Sequence, residues 1–163
     1  RFLKTPTEAR DLICVALAGR AAELQEYGEA SSGISSDLAA ATNVACQLIG
    51  QLGDGPGLLS LEAAAMPTAA NLVAKVLADE RSRNAAEAIL EEGERRAADM
   101  VERYRDALHE IADVLCERDE VDGDTIRAIV AQYTDITERR GAVRKGAEFR
   151  RAGVTSGDPA RNA

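Results

Sequence analysis

Residues 5–28 read Thr5-Pro6-Thr7-Glu8-Ala9-Arg10-Asp11-Leu12-Ile13-Cys14-Val15-Ala16-Leu17-Ala18-Gly19-Arg20-Ala21-Ala22-Glu23-Leu24-Gln25-Glu26-Tyr27-Gly28. The stretch writes a helix together with both of its ends. Thr5 can cap, Pro6 suits the first helical position, and Glu8 stands three residues after the cap. Leu12, Val15, Ala16, Gly19, Ala22 and Glu23 follow a helical period. Gly28 stands where a helix C-terminus calls for a left-handed residue. A helix over 6–27 is predicted.

Downstream, the Ser/Gly loop Ser31-Ser32-Gly33-Ile34-Ser35-Ser36 leads into a second helix that runs to about Leu52. Its stripe is Leu38, Ala41, Ala45, Leu48, Ile49 and Leu52, and Gly53, Gly55, Pro56 and Gly57 break the chain. Residues 58–66 read as a short strand or a loop. Pro67 can open a further helix, with Leu72, Val76 and Leu77 facing inward. A long helical stretch follows over about 82–117. Its stripe is Ala86, Ile89, Leu90, Ala97, Met100, Val101, Tyr104, Leu108, Ile111, Ala112 and Leu115, with a bend or break expected near Tyr104–Leu108. Asp122 caps a short terminal helix over about 123–133, with Ile126, Ile129 and Val130 as its apolar face. The expected fold is all-α: a helical bundle over residues 1–133, followed by a polar, poorly ordered tail over 134–163, in which Ala142–Ala152 can form a transient helix.

Composition agrees. Of 163 residues 45% are hydrophobic but only 3% aromatic, with no Trp. Ala and Leu carry the apolar mass, which favours helix over strand. The net charge is −8. Residues 134–163 hold seven Lys/Arg against four Asp/Glu, so the body is more acidic still. An acidic body lacks the basic face a general nucleic-acid binder needs, and no nucleic-acid partner is expected. Cys14, Cys46 and Cys116 are odd in number and widely spaced, so they read as small buried hydrophobes in a reducing compartment. The chain opens on Arg1, not Met, and shows neither a signal peptide nor a run of 18 apolar residues. It is therefore expected to be cut from a longer protein or shown without its beginning.

Three stretches, in order, resemble the FtsH-type ATP-dependent zinc metalloproteases. Leu17-Ala18-Gly19-Arg20-Ala21-Ala22-Glu23 followed by Tyr27-Gly28-Glu29 is similar to the family's Gly-Gly-Arg-Ala-Ala-Glu-Glu helix with its Phe-Gly-Glu ending. Ser31-Ser32-Gly33-Ile34-Ser35-Ser36-Asp37-Leu38 with Ala41-Thr42 is similar to a Thr-Gly-rich loop, Asn-Asp-Leu and Ala-Thr. Arg105-Asp106-Ala107-Leu108, Ile111-Ala112, Leu115, Glu117 and Val121-Asp122-Gly123-Asp124 with Ile126 resemble the family's last helices. Ala18, Gln25 and Ser36 depart from the pattern, and 54–82 matches it poorly.

The resemblance implies a helical part of a zinc metallopeptidase domain. In the longer protein it implies an AAA+ ATPase module, a hexamer, zinc and ATP as cofactors, and unfolded or tagged proteins as substrates. It places the protein in the cytoplasm or at the cytoplasmic face of a membrane. It lands the family's third zinc ligand on Asp37; by residue type alone, Asp37 reads as a first-turn carboxylate favoured by the helix dipole. Two His four apart on a helix, plus a third protein ligand, leave zinc one position for water. This chain has a single histidine, His109. In Leu108-His109-Glu110-Ile111-Ala112-Asp113, Asp113 stands where a second histidine would be needed, and His109 reads as a surface or half-buried helix residue. No catalytic residue is therefore assigned, and the chain alone is expected to be inactive and metal-free. The alternative is a non-catalytic helical module for oligomerisation or protein binding.

Weaker signals point elsewhere. Glu91-Glu92-Gly93-Glu94 reads as a solvated helix face, and Arg139-Arg140 with Arg144-Lys145 as a soluble tail. Gly53-Asp54-Gly55-Pro56-Gly57 lacks the Lys and Ser/Thr of a phosphate-binding loop.

Overall fold

Helix ends are written locally, and the computed structural model, which describes residues 5–62 and 71–134, places them accordingly. Helix α1 spans Pro6–Tyr27, α2 Ser35–Gly50, α3 Leu72–Ala78, α4 Glu80–Arg103 and α5 Arg105–Arg118, with a 3-10 turn at Ser32–Ile34. A further helix, α6, covers 123–134 at the edge of the described residues. The fold is all-α, with no strand among the described residues. The chain divides into two compact units, Arg1–Glu102 and Arg103–Ala163. The start expected at Pro67, the tail expected beyond residue 134 and its helix at 142–152 lie outside the described residues.

The capping box of α1 is complete. The Glu8 amide donates to Thr5 Oγ1 at 3.2 Å, and the Thr5 amide donates to Glu8 Oε2 at 2.8 Å. At the far end Gly28 takes φ +78°, and its amide donates to the Leu24 carbonyl at 3.0 Å. That left-handed conformation reverses the chain at little cost because glycine has no Cβ.

In the first unit, Ala9, Ile13, Cys14, Leu17 and Ala21 of α1 are buried together with Ala41, Ala45, Cys46, Leu48 and Ile49 of α2. Val76 of α3 and Ala86, Ile89 and Ala97 of α4 complete this core. The many alanines let the helix backbones approach closely. Gly93 is the extreme case, since a Cβ there would lie 2.6 Å from Ile13 Cγ2. Polar pairs tie α1 to α4 along the rim of the seam. Arg20 pairs with Glu94, Arg96 Nη2 meets Asp11 Oδ1 at 2.6 Å, and Gln25 Nε2 donates to Glu102 Oε2 at 2.6 Å.

Several expectations about which side chains face inward are corrected. Leu12 and Val15 are 40% and 72% exposed, so the buried face of α1 is the one through Ile13 and Leu17. The helix carries two apolar phases, and periodicity alone does not say which of them meets α2 and α4. Leu38 and Leu52 at the two ends of the α2 stripe, Leu77 of α3, and Met100, Leu108 and Leu115 are also exposed. Cys14 and Cys46 are buried as expected, and burial pushes the Cys46 thiol up. Cys116 is exposed, not buried as expected, since α5 buries Ala107 and not the face that carries Cys116. Gly93 lies in the core, not on the solvated face expected of its acidic run.

The long stretch breaks inside the expected window. Tyr104, at φ −108° and ψ 22°, separates α4 from α5. The helix also starts earlier than expected. Asp79 Oδ2 accepts from the Ser82 amide at 2.8 Å, so α4 opens at Glu80. Hydrogen bonds from Ser82, side chain first and backbone second, hold the Asp79 carboxyl below its ordinary value.

In the second unit Ala107 and Ile129 are the buried apolar residues among those described. Asp119 closes α5 at φ +61°, a conformation that Asp tolerates better than most residues. Asp122 caps α6 as expected, accepting from the Thr125 amide at 2.8 Å and from its hydroxyl at 3.1 Å. These bonds, the backbone one first, hold the Asp122 carboxyl low. Tyr133 Oη donates to Glu110 Oε2 at 2.8 Å and links α6 to α5.

Candidate metal-ligand loop

The candidate ligand sits where α1 hands the chain to α2. After the reversal at Gly28, Ser31 adopts φ −78° and ψ 169° and starts the 3-10 turn. Its amide donates to Glu23 Oε2 at 2.5 Å and its hydroxyl to Glu23 Oε1 at 3.0 Å. The same hydroxyl accepts from the Gly33 amide at 3.2 Å. One hydroxyl has one proton to give and lone pairs to receive, so both bonds are satisfied together. Ile34 precedes α2 and offers it no side-chain cap. Ser35, Ser36 and Asp37 are therefore the first three helical residues.

Asp37 is exposed, and its carboxylate receives no hydrogen bond from the described residues. It occupies the third helical position, where the N-terminal dipole favours a negative charge. Deeper in α2, Thr42 Oγ1 donates to the Leu38 carbonyl at 2.8 Å and Asn43 Nδ2 to that of Ala39 at 2.9 Å. Below them Ala41 and Ala45 are buried. The base of α2 is thus buried against α1, while Asp37 in its first turn is exposed.

A zinc site needs three protein ligands of the right kind. The Asp37 carboxylate is a suitable oxygen donor. However, no three His, Cys, Asp or Glu side chains come together as a metal cluster among the described residues. The one histidine, His109, is an exposed residue of α5 in the second unit. These residues do not by themselves fit zinc, and no metal-dependent step follows from them.

The other motifs are structural. The Gly53–Gly57 turn is a tie-down: Asp54 pairs with Arg10 of α1, and its amide donates to the Leu48 carbonyl at 3.1 Å. Of the acidic run, Glu91 and Glu92 are exposed and Glu94 is engaged by Arg20. No described helix is long and apolar enough to cross a membrane. Sequence reading missed Glu23, grouping it with the helical stripe of α1. The available signal was a carboxylate one turn ahead of a helix-ending glycine, with a serine just beyond the reversal.

Comparison with known proteins fits this layout. The chain matches peptidase family M41 over residues 1–129. It is 31% identical to the ATP-dependent zinc metalloprotease FtsH of Acidothermus cellulolyticus, over 96% of this chain and 24% of that protein. It is 29% identical to the FtsH of Methylococcus capsulatus, over 81% of this chain and 22% of the relative. It is also 29% identical to that of Kosmotoga olearia, over 89% and 25%. The chain thus spans about a quarter of the length of these curated relatives. The matched stretch runs through α1, the serine loop with Asp37, and α2 to α5, and on that ground the chain belongs to peptidase family M41.

Proposed function

We propose that this chain is the helical part of the peptidase domain of an ATP-dependent zinc metalloendopeptidase that degrades unfolded or tagged proteins. The family match over residues 1–129 carries this reading. In it, Asp37 supplies one carboxylate to a zinc ion whose histidine ligands, water-activating glutamate and AAA+ module lie in other parts of the longer protein. The protein is then a hexamer working in the cytoplasm or at the cytoplasmic face of a membrane. The exposed, unengaged Asp37 carboxylate at the start of a firmly packed helix supports the ligand role. Residues 1–133 act as helical scaffold and 134–163 as a polar tail. The chain alone is inactive, because one carboxylate cannot hold zinc against water.

The second reading, a non-catalytic helical module for assembly or protein binding, draws on the single histidine of the sequence and the exposed leucines of α1, α2 and α5. The coding sequence ahead of Arg1 separates the two. A His-Glu-x-x-His helix behind a nucleotide-binding loop is expected there, and an altered motif selects the second reading. Incubating this chain with zinc, ATP and an unfolded protein substrate should give no cleavage. Cleavage by this chain that is abolished in Asp37→Asn overturns the proposed division of labour.

A further inference from the structure

We infer that Glu23 is a positioning residue for Asp37: its carboxylate clamps the turn that leads into α2 and so fixes where Asp37 stands. The clamp rests on the geometry alone, and only the purpose of holding Asp37 rests on the proposed function.

The turn's own bonds are local: Ser31 receives the Gly33 and Ile34 amides, and the Ser32 carbonyl receives the Ser35 amide. Ile34 gives α2 no side-chain cap, so the first amides of the helix have no partner from the preceding residue. A pair of bonds from α1 ties that turn down. Both Glu23 oxygens are spent on Ser31, on its amide at 2.5 Å and its hydroxyl at 3.0 Å. That hydroxyl in turn receives the Gly33 amide at 3.2 Å, and the Ser31 carbonyl receives the Ile34 amide at 3.5 Å. The connection therefore runs unbroken from Glu23 to the residue that opens α2, three positions before Asp37. The anchor is itself fixed. Arg20 pairs with Glu94 on one side of Glu23, and Gln25 donates to Glu102 on the other. A carboxylate is suited to this task, because a hydrogen bond to a charged acceptor is about twice as strong as a neutral one. Glutamine would keep one acceptor and put a donor in place of the other oxygen, so the charge assistance is lost.

Hydrogen exchange on this chain tests the clamp. In Glu23→Ala, the Ser31 and Gly33 amides should exchange about tenfold faster, the factor that corresponds to losing one charge-assisted bond. The amides of Leu38 and Ala39, which report on the first turn of α2, should also speed up, while those of Ile13 and Leu48 in the core keep their rates. Glu23→Gln should fall between Glu23→Ala and wild type. Ser31→Ala, which removes only the hydroxyl link, should reproduce the Gly33 effect if Glu23→Ala fails to fold. Unchanged rates at Gly33, Leu38 and Ala39 in both Glu23→Ala and Ser31→Ala overturn the inference. In the longer protein, zinc release to a chelator should be faster for Glu23→Gln than for wild type. Zinc that is lost in Asp37→Asn but held normally in Glu23→Gln also overturns it. A wild-type longer protein that holds no zinc contradicts the proposed function instead, and leaves the exchange rates to judge the clamp.

Discussion

In Arg1–Glu102, helices α1, α2, α3 and α4 meet on a dry seam in which Ile13, Cys46, Leu48 and Val76 are fully buried. In Arg103–Ala163, the described helices α5 and α6 bury Ala107 and Ile129, and rely on the Asp122 cap and the Tyr133–Glu110 bond. Among the described residues, one unit is held by broad apolar burial with polar pairs at its rim, the other by much less apolar burial and by polar bonds. Burial of a large side chain is worth a few kcal/mol, whereas a single net hydrogen bond is worth about one. The two units should therefore respond differently to the same class of change. Asp37 and Glu23 sit on the unit with the deeper core, which suits the ligand role proposed for Asp37.

The largest effect is expected from Ile13→Ala, which empties the centre of the seam and should cost about 3 kcal/mol in chemical denaturation. Next is Gly93→Ala. Helix propensity favours alanine by about 1 kcal/mol, but the new Cβ meets Ile13 Cγ2, a rigid methyl in the core. Overpacking costs about 1–3 kcal/mol, so a net loss is expected. Combined with Ile13→Ala the loss should be smaller than the sum, since one change makes room for the other. Either variant melting like wild type would mean that α4 does not close on α1 as described.

Ile129→Ala sharpens the comparison from the other side. It should lower protection of the α6 amides, with a cost near 2 kcal/mol at most, and leave exchange at Ile13 and Leu48 unchanged. Loss of protection in both units at once would show that they unfold together.

The smallest effect is acid. The Asp79 and Asp122 carboxyls are held below their ordinary values by the amides and hydroxyls they cap. Each contribution is fully present above the unfolded-state value, roughly pH 4, and is lost as pH falls through the lowered folded value. Helix content followed by circular dichroism should decline in that acid window, and Asp122→Asn should flatten the part of the decline that belongs to the second unit. An unchanged profile in that variant would remove the cap from the account.

What could be read in the sequence follows from how local each cause is. The ends of α1 were legible because Thr5, Glu8 and Gly28 act within a few residues of themselves. The place of Asp37 in a first turn was legible for the same reason. The inward face of α1 was not, because Leu12/Val15 and Ile13/Leu17 are both apolar and only the packing partners choose between them. The break at Tyr104 could be bracketed but not placed, since no proline or glycine marks it. The Glu23 clamp stayed hidden because it depends on the chain reversing at Gly28, a three-dimensional consequence of a local signal. Asp79 was passed over as a cap because the apolar stripe of α4 begins some residues later.

Zinc bound per chain after equilibration with excess metal and exhaustive dialysis, read by elemental mass spectrometry, tests the division of labour most directly. No retained zinc is expected in this chain, wild type and Asp37→Asn alike, under the proposal that Asp37 is one ligand of a set completed in the longer protein. One zinc per wild-type chain, lost in Asp37→Asn, would contradict it.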